Sequence, residues 1–171
     1  MLKQNIPMLK CQNNGFLRPL TENDVTESYI RGMNSRAVKK FLMQPNKSPQ
    51  TRLTLTKYVK DNFYAKDVIL FGLFVDGIHR GNLRLHDISN ASAFLGIAIF
   101  DTNLWGKGWG TASIKTASMF GVKNLNIKKI IAGIDNSNTA STKAFVKAGY
   151  KKDLSYCKSE NSKATFWKFS L

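Results

Sequence analysis

Acidic side chains are scarce in this chain. Eleven Asp and Glu stand against 26 Lys and Arg over 171 residues, a formal net charge of +15. Such an imbalance draws anions: nucleic acid, an anionic membrane surface or a phosphorylated small molecule. A lysine-rich surface that is merely solvated gives the same count, so charge alone selects none of these. Cysteine is nearly absent. Cys11 and Cys157 are far apart and show no metal-ligand spacing, so no metal is expected, and reduced thiols in a cytoplasmic protein are expected rather than a disulfide. Long apolar runs are missing too. The longest, Val68 to Val75, falls far short of the roughly 20 residues that a membrane-crossing helix needs. Lys3, Asn5, Pro7 and Lys10 interrupt the stretch where a signal peptide would place its apolar core. A soluble, unexported protein is the expectation. Low-complexity tracts, internal repeats and linkers are absent, and a hydrophobic content of 43% argues against disorder.

What is present fits one domain, with residues 1–15 as an N-terminal extension or edge strand and 16–171 as the domain proper. A chain of this length buries about 70% of its unfolded surface, enough for a substantial core. Asn13-Asn14-Gly15 is a turn signal, and Phe16 to Leu20 reads as a short strand with Pro19 near an edge or strand end. Thr21 with Glu22 and Asp24 is an N-cap pattern for a helix to about Met33. Ser35 to Met43 is a second helical piece, broken by Pro45 to Pro49. Ser48 and Pro49 open a third helix through about Phe63. Val68 to Val75, apolar throughout, suits a central strand. Asp76-Gly77 is a hairpin turn. Ile78 to Ile88 alternates, with Leu83 and Leu85 on one face and Asn82, Arg84 and His86 on the other. Ser89-Asn90 turns into a third strand, Ala93 to Phe100. A helix to about Lys123, a strand over Lys128 to Ile134 and a helix over Asn138 to Ala148 follow, with Gly149 as the residue past the helix end. Tyr150 to Cys157 and Lys163 to Phe169 read as a closing pair of strands. Helices early, hairpins in the middle and a β–α–β–α run at the end define an α+β sheet with one parallel crossover.

The organising stretch is Asn103 to Phe120. Gly106, Gly108 and Gly110 free one backbone surface of side chains and permit positive φ. The amides between Gly106 and Thr111 can then form a concave nest at the start of a helix, which suits a phosphate or pyrophosphate. Ile114, Ala117 and Phe120 share one face of that helix. The stretch is not a P-loop, since Gly-Lys-Ser/Thr is missing. It also lacks the acidic residue that follows a dinucleotide fingerprint. About thirty residues downstream lies a second segment, Asn138 to Tyr150.

Together the two segments resemble the GNAT N-acetyltransferase superfamily, and most closely its RimJ/RimL-like branch. Trp105 to Thr111 is similar to that branch's W-G-K-G-aromatic-[AG]-T acetyl-CoA loop. Asn138, Ser141, Gly149 and Tyr150 are similar to its N-x-x-S…G-[FY] ending. The resemblance covers roughly residues 16–170. It implies a GNAT fold: a mixed, mostly antiparallel sheet of six to seven strands, flanked by helices, with a central splayed parallel pair. Ala93–Phe100 and Lys128–Ile134 are the expected pair. It implies acetyl-CoA as co-substrate and direct attack on its thioester by a neutral amine.

Site residues follow by position. The resemblance puts backbone donors of the strand before the loop at Ile97, Ala98 and Ile99. It puts the pyrophosphate on the amides of Gly106 to Thr111, with Lys107 either adding charge or facing solvent. Trp105 stands where many members have Arg or Gln, and Trp109 reads as a packing aromatic. Asn138 either caps its helix or reaches the pantetheine arm, or does both. Ser141 is a candidate to hydrogen-bond the leaving sulfur. Phe145 occupies a position where many members place a tyrosine acid, so that acid is missing. The branch's glutamate before the strand's Ile-Gly is missing as well; Phe94-Leu95-Gly96 stands there. His86, which titrates near neutral pH, is the substitute base, with Asn82 and Arg84 beside it as acceptor-binding candidates. Asp101, Asp135 and a water relay are rivals.

Two further readings stay open: a basic RNA- or ribosome-binding module on the same fold, and an acyl-CoA sensor without turnover. The first is not favoured, because basic residues do not cluster with aromatics and no RRM or zinc-finger signature appears. Partners expected are acetyl-CoA and an amine acceptor, either a protein N-terminus or ribosomal protein, or a small amine such as a nucleotide-linked amino sugar. Arg84 and the lysine excess suit either acceptor. Monomer and homodimer both stay open.

Overall fold

A computed structural model describes residues 3–42, 48–156 and 163–170. Its centre is one eight-stranded sheet in the order β1-β2-β3-β4-β5-β6-β8-β7. Two short edge strands, β1 (Leu9–Lys10) and β7 (Lys151–Lys152), bring the count above the six to seven expected. β2 (Gly15–Pro19) is joined to β1 through a turn in which Asn13 takes φ +44°. β3 (Ile69–Val75) is buried at every position, as an uninterrupted apolar run in mid-sheet should be. Asp76 and Gly77, both at positive φ, turn it into β4 (Ile78–Ser89). The next turn uses Asn90 and Ala91 at positive φ, one residue later than expected, and leads to β5 (Ser92–Ile99).

Three helices cover one face: α1 (Glu27–Asn34), α2 (Arg36–Lys39) and α3 (Arg52–Tyr64). Their core joins Tyr29, Val38, Leu55 and Val59 to Leu20, Leu70, Phe74 and Phe100. The other face carries α4 (Trp109–Leu125) and α5 (Thr139–Lys147), on either side of β6 (Lys129–Asp135). Ile114, Ala117, Phe120 and Phe145 pack there on Leu17, Phe71, Leu73, Leu83 and Leu85. β8 (Ala164–Phe169) lies beyond β6.

Three boundaries differ from expectation. Thr21 opens only a 3-10 turn, Glu22–Asp24, and α1 starts afresh at the Thr26 cap. Asp24 explains this: its carboxylate takes both terminal nitrogens of Arg18, at 2.8 and 2.6 Å, and so ties the turn to β2. α3 is capped by Thr51 rather than Ser48. Asn34 bonds both the N–H and the C=O of Gln50 at 2.7 Å, holding that backbone outside the helix. The expected strand over Tyr150 to Cys157 stops at Lys152. Asp153 Oδ1 accepts from the N–H and Oγ of Ser155, curling the chain into a 3-10 turn, Leu154–Tyr156. Met43, Pro45, Asn46, Lys47 and Cys157 lie outside the described residues. Among the described residues, no helix is long and apolar enough to cross a membrane, and no cluster of His, Cys, Asp or Glu could hold a metal ion.

The parallel strands part company early. β5 and β6 pair only at Ser92–Lys129, Ala93–Ile130 and Phe94–Ile131. Beyond Phe94, β5 stays with β4 as far as Ile99, opposite Gly81, while β6 stays with β8 as far as Asp135, opposite Ala164. The result is a V-shaped gap between residues 95–99 and 132–135.

Candidate active site

Two cavities open on this gap. The smaller, about 390 Å³, is lined by Ile97 to Ile99, Trp105, Gly106, Gly108, Gly110, Thr111, Ile114 and the α5 residues Ala140, Lys143, Ala144 and Lys147. The larger, about 570 Å³, is lined by Asn82, Arg84 and His86 of β4, Phe94 to Ala98 of β5, Gly133 to Asp135 of β6, Phe145, Thr54 and Tyr58 of α3, and Gln50 just before that helix. Ile97, Ala98, Asn138 and Ser141 border both, so the two spaces meet at the splay.

The glycine loop forms one end of the smaller cavity. Gly106 and Gly108 take φ +75° and +85°, and Gly108 is the left-handed cap of α4. A Cβ on Gly106 would meet nothing within 4 Å, and one on Gly108 only the Gln12 side chain at 3.6 Å. These glycines are therefore required by backbone conformation rather than by crowding. Among the described residues, the N–H groups of Gly106, Gly108, Trp109, Gly110 and Thr111 have no hydrogen-bond acceptor; the first amide of the helix to be satisfied is that of Ala112, by Gly108 at 3.0 Å. Five unpaired donors at the positive end of a 17-residue helix suit an anion. Lys143 and Lys147, one turn apart on α5, add positive charge on the facing wall.

Trp105 and Trp109 do different things. The Trp105 indole N–H donates to the Ile99 carbonyl at 2.9 Å, tying loop to strand end, while its ring stays 44% exposed at the rim. Trp109 is buried against the β1–β2 turn; a Cβ on Gly15 would lie 2.1 Å from its ring. Trp109 and Lys107 do not line the cavity. Lys107 instead offers its carbonyl to Gln12 at 3.4 Å.

At the junction, Asn138 Oδ1 accepts from the Ser141 N–H at 3.0 Å, a helix cap. Its amide nitrogen and the Ser141 hydroxyl have no partner among the described residues. Phe145 is 2% exposed and packs edge-on against Tyr150 at 4.9 Å. Tyr150 does not replace the missing tyrosine acid: its hydroxyl is buried against Ser118 at 2.8 Å, and burial pushes its pKa well above the usual range.

The floor of the larger cavity is a cross-strand ladder: Asn82 opposite Ala98, Arg84 opposite Gly96, His86 opposite Phe94. Residues directly opposite share a face, so the three β4 side chains stand in a row. Asn82 is buried. Its Oδ1 accepts from His79 Nε2 at 2.8 Å and its Nδ2 donates to the Tyr29 hydroxyl at 2.7 Å. His79 Nε2 also meets the Gly81 carbonyl at 3.0 Å, so the ring carries its proton on Nε2 and burial holds its pKa below 6.5. Arg84 Nε donates to Asn62 Oδ1 at 2.8 Å. His86 stacks on Phe94 at 5.7 Å, and its Nδ1 lies 3.1 Å from Asp87 Oδ2. The tautomer that satisfies this contact keeps Nε2 as a lone pair. Burial, and then Arg84, lower the His86 pKa below 6.5, so the ring is neutral at physiological pH.

The rival carboxylates are otherwise engaged. Asp101 pairs with Arg80 at 2.7 Å and lines neither cavity. Asp135 lines the larger cavity, but hydrogen bonds from the Ser137 hydroxyl and N–H hold its pKa below the usual carboxylate value. That makes it a weaker base.

Residues that sequence reasoning did not reach include Lys143 and Lys147, Asn62 behind Arg84, and the α3 wall of Thr54 and Tyr58 with Gln50 before it. The i, i+4 spacing of the two lysines, on a helix already placed beside the loop, was a usable signal. The α3 wall had none, because its approach to β4 is set by long-range packing.

A splayed parallel pair, whose gap borders both the glycine-loop cavity and the polar cavity, suits a protein that brings two substrates together. The acetyltransferase (GNAT) domain family matches residues 16–151, and the chain belongs to it. It is thus an acetyl-CoA-dependent N-acetyltransferase by family. Its fold is similar to that of RimJ from Mycobacterium smegmatis, solved with a CoA disulfide, at 15% identity over 96% of this chain and 86% of that one, TM-score 0.80. It is similar to that of RimL, a ribosomal L7/L12 α-N-protein acetyltransferase solved with coenzyme A, at 15% identity over 96% and 98%, TM-score 0.82. A ribosomal-protein-S5-alanine acetyltransferase from Vibrio fischeri matches at 13% identity over 96% and 97%, TM-score 0.79.

Proposed function

We propose that acetyl-CoA lies in the smaller cavity, with its diphosphate on the amides of Gly106 to Thr111, and that a primary amine enters from the larger cavity and attacks the thioester at the splay. The observation that carries this reading is the meeting of the two cavities at Ile97, Ala98, Asn138 and Ser141. The residues divide the work. Strand N–H groups alternate in direction, so Ala98, paired with Asn82 in the β4 ladder, turns its N–H away from the gap. The N–H groups of Ile97 and Ile99, on the other edge of β5, stabilise charge developing on the thioester oxygen, since fixed dipoles in a dry slot need no reorganisation. The free Asn138 amide holds the pantetheine arm. The Ser141 hydroxyl donates to the departing sulfur. His86 Nε2 takes the proton that the amine loses. Phe94, its cross-strand neighbour, lies three residues before Ile97, about 10 Å along the strand, so that proton travels through water. Trp105 fixes the loop to the strand, Trp109 anchors it to the β1–β2 turn, and Lys107 supplies only long-range charge. The acceptor is a protein N-terminus, as in the proteins of similar fold, or a small amine.

Calorimetry with acetyl-CoA tests the donor half. A low-micromolar dissociation constant is expected, about 8 kcal/mol. A thiol-release screen of amines, peptide N-termini and nucleotide amino sugars tests the acceptor half. No heat at high acetyl-CoA concentration would refute the placement. RNA binding that falls steeply with salt, without thiol release, would favour a binding module instead.

A further inference from the structure

We infer that Arg84 is an anion subsite of the acceptor cavity, and that the acceptor is an amine bearing a phosphate or carboxylate group. This rests on the functional reading above and narrows its substrate class. The first observation is a charge without a partner. Arg18 and Arg80, about as buried, each hold a carboxylate: Asp24 at 2.6 Å and Asp101 at 2.7 Å. Arg84 holds none among the described residues. Its Nε is taken by the neutral Asn62 Oδ1, and its two terminal nitrogens have no acceptor among the described residues. A half-buried guanidinium with both fork nitrogens free is the arrangement that binds a carboxylate or phosphate in bidentate fashion.

The second observation is room. Gly96, directly opposite Arg84, is exposed, and a Cβ there would meet nothing within 4 Å. The cross-strand position that would ordinarily cover the guanidinium is empty space. The third is rigidity. Asn62 is itself buried, its Nδ2 donates to the Tyr58 carbonyl at 2.7 Å, and its own carbonyl takes Lys3 Nζ. The brace behind Arg84 is therefore fixed to α3, and the fork is aimed before substrate arrives. Among the described residues, the remaining ionised groups on the cavity wall are Lys39 and Asp135, and Asp135 is committed to Ser137. Positive charge prevails where the anion would sit.

Two matched pairs of acceptors supply the test: glucosamine 6-phosphate against glucosamine, and a hexapeptide beginning Ser-Asp-Asp against one beginning Ser-Asn-Asn. Thiol release is measured with each, along with calorimetric binding to CoA-saturated protein. The anion-bearing member of one pair is expected to be favoured at least tenfold, and which pair shows it identifies the source of the anion. Arg84→Gln should bring the ratio to within threefold of unity, and Arg84→Lys, which keeps charge without the fork, to an intermediate value. A ratio near one in both pairs, or a ratio that survives Arg84→Gln, overturns the inference. The two readings fail separately: acetyl-CoA binding without anion preference sinks only the subsite, whereas absence of acetyl-CoA binding sinks the functional reading itself.

Discussion

Gly108 is the position where the donor site can be tested by charge alone. Its φ of +85° costs an L-residue about 1–2 kcal/mol. A Cβ there meets only the Gln12 side chain at 3.6 Å, an ordinary contact, so no steric term is added. Gly108→Ala, Gly108→Glu and Gly108→Lys should therefore lose similar stability, a fall in Tm of about 2–8 °C for a chain of this size. Their affinities for acetyl-CoA should diverge. A carboxylate about 5 Å from a diphosphate charge costs about 3 kcal/mol at an effective dielectric of about 20. Salt and solvent reduce that figure, but the diphosphate carries more than one charge. Gly108→Glu should thus bind about 100-fold more weakly than Gly108→Ala, and Gly108→Lys no more weakly than Gly108→Ala despite its greater bulk. Calorimetry near physiological salt, with Tm measured in parallel, reads both quantities. Equal affinities for the Glu and Lys variants would show that no anion sits on these amides.

Two other outcomes follow from the histidines. Burial lowers the pKa of His79 in the folded chain, so on acidification the unfolded chain takes up its proton first, and stability falls as pH drops through 6.5. Tm should decline between about pH 7 and pH 5. The slope should flatten in His79→Gln; Asp24, whose pKa is lowered from 3.8, acts only in a more acid window. A slope unchanged by that variant would refute the assignment. His86→Gln should lower kcat by about 10²–10⁴-fold and remove the acid limb of its pH profile while leaving acetyl-CoA affinity intact; a kcat within twofold of the parent would exclude His86 as the base.

Local chemistry was legible in the sequence and long-range chemistry was not. Gly106 and Gly108 announce a loop because only glycine adopts their φ without strain, and the loop can be read from the six residues Gly106 to Thr111. The same holds for the Asp76-Gly77 hairpin and for the buried run of β3. The α1 boundary was missed because a cap pattern at Thr21 is indistinguishable, in sequence, from one that Arg18 pins to a strand. The α3 cap was missed for the same kind of reason: Asn34 and Gln50, sixteen residues apart, decide it. At the site, the ladder of Asn82, Arg84 and His86 followed from alternation. The burial of Asn82 did not, since it depends on Tyr29 and His79 arriving from other elements.

The two phenylalanines where the family has ionisable groups are best understood together with the charges around them. By the resemblance, Phe94 stands where a carboxylate is often found and Phe145 where many members have a phenol, and on the proposed reading side-chain proton transfer is reduced at both ends of the reaction. The field of the site acts on the same protons. Lys143, Lys147 and the α4 amides favour a departing thiolate without donating to it, and Arg84 and Lys39 disfavour a bound ammonium and so lower its pKa. An acceptor that places an anion on Arg84 cancels part of that second effect while gaining affinity. The proton of such an acceptor then needs a base. The ladder supplies one next to Arg84, in a histidine whose Nδ1–H is held by Asp87 and whose other nitrogen is free. On the proposed reading, anion recognition and base are neighbours on one strand because the first creates the need for the second.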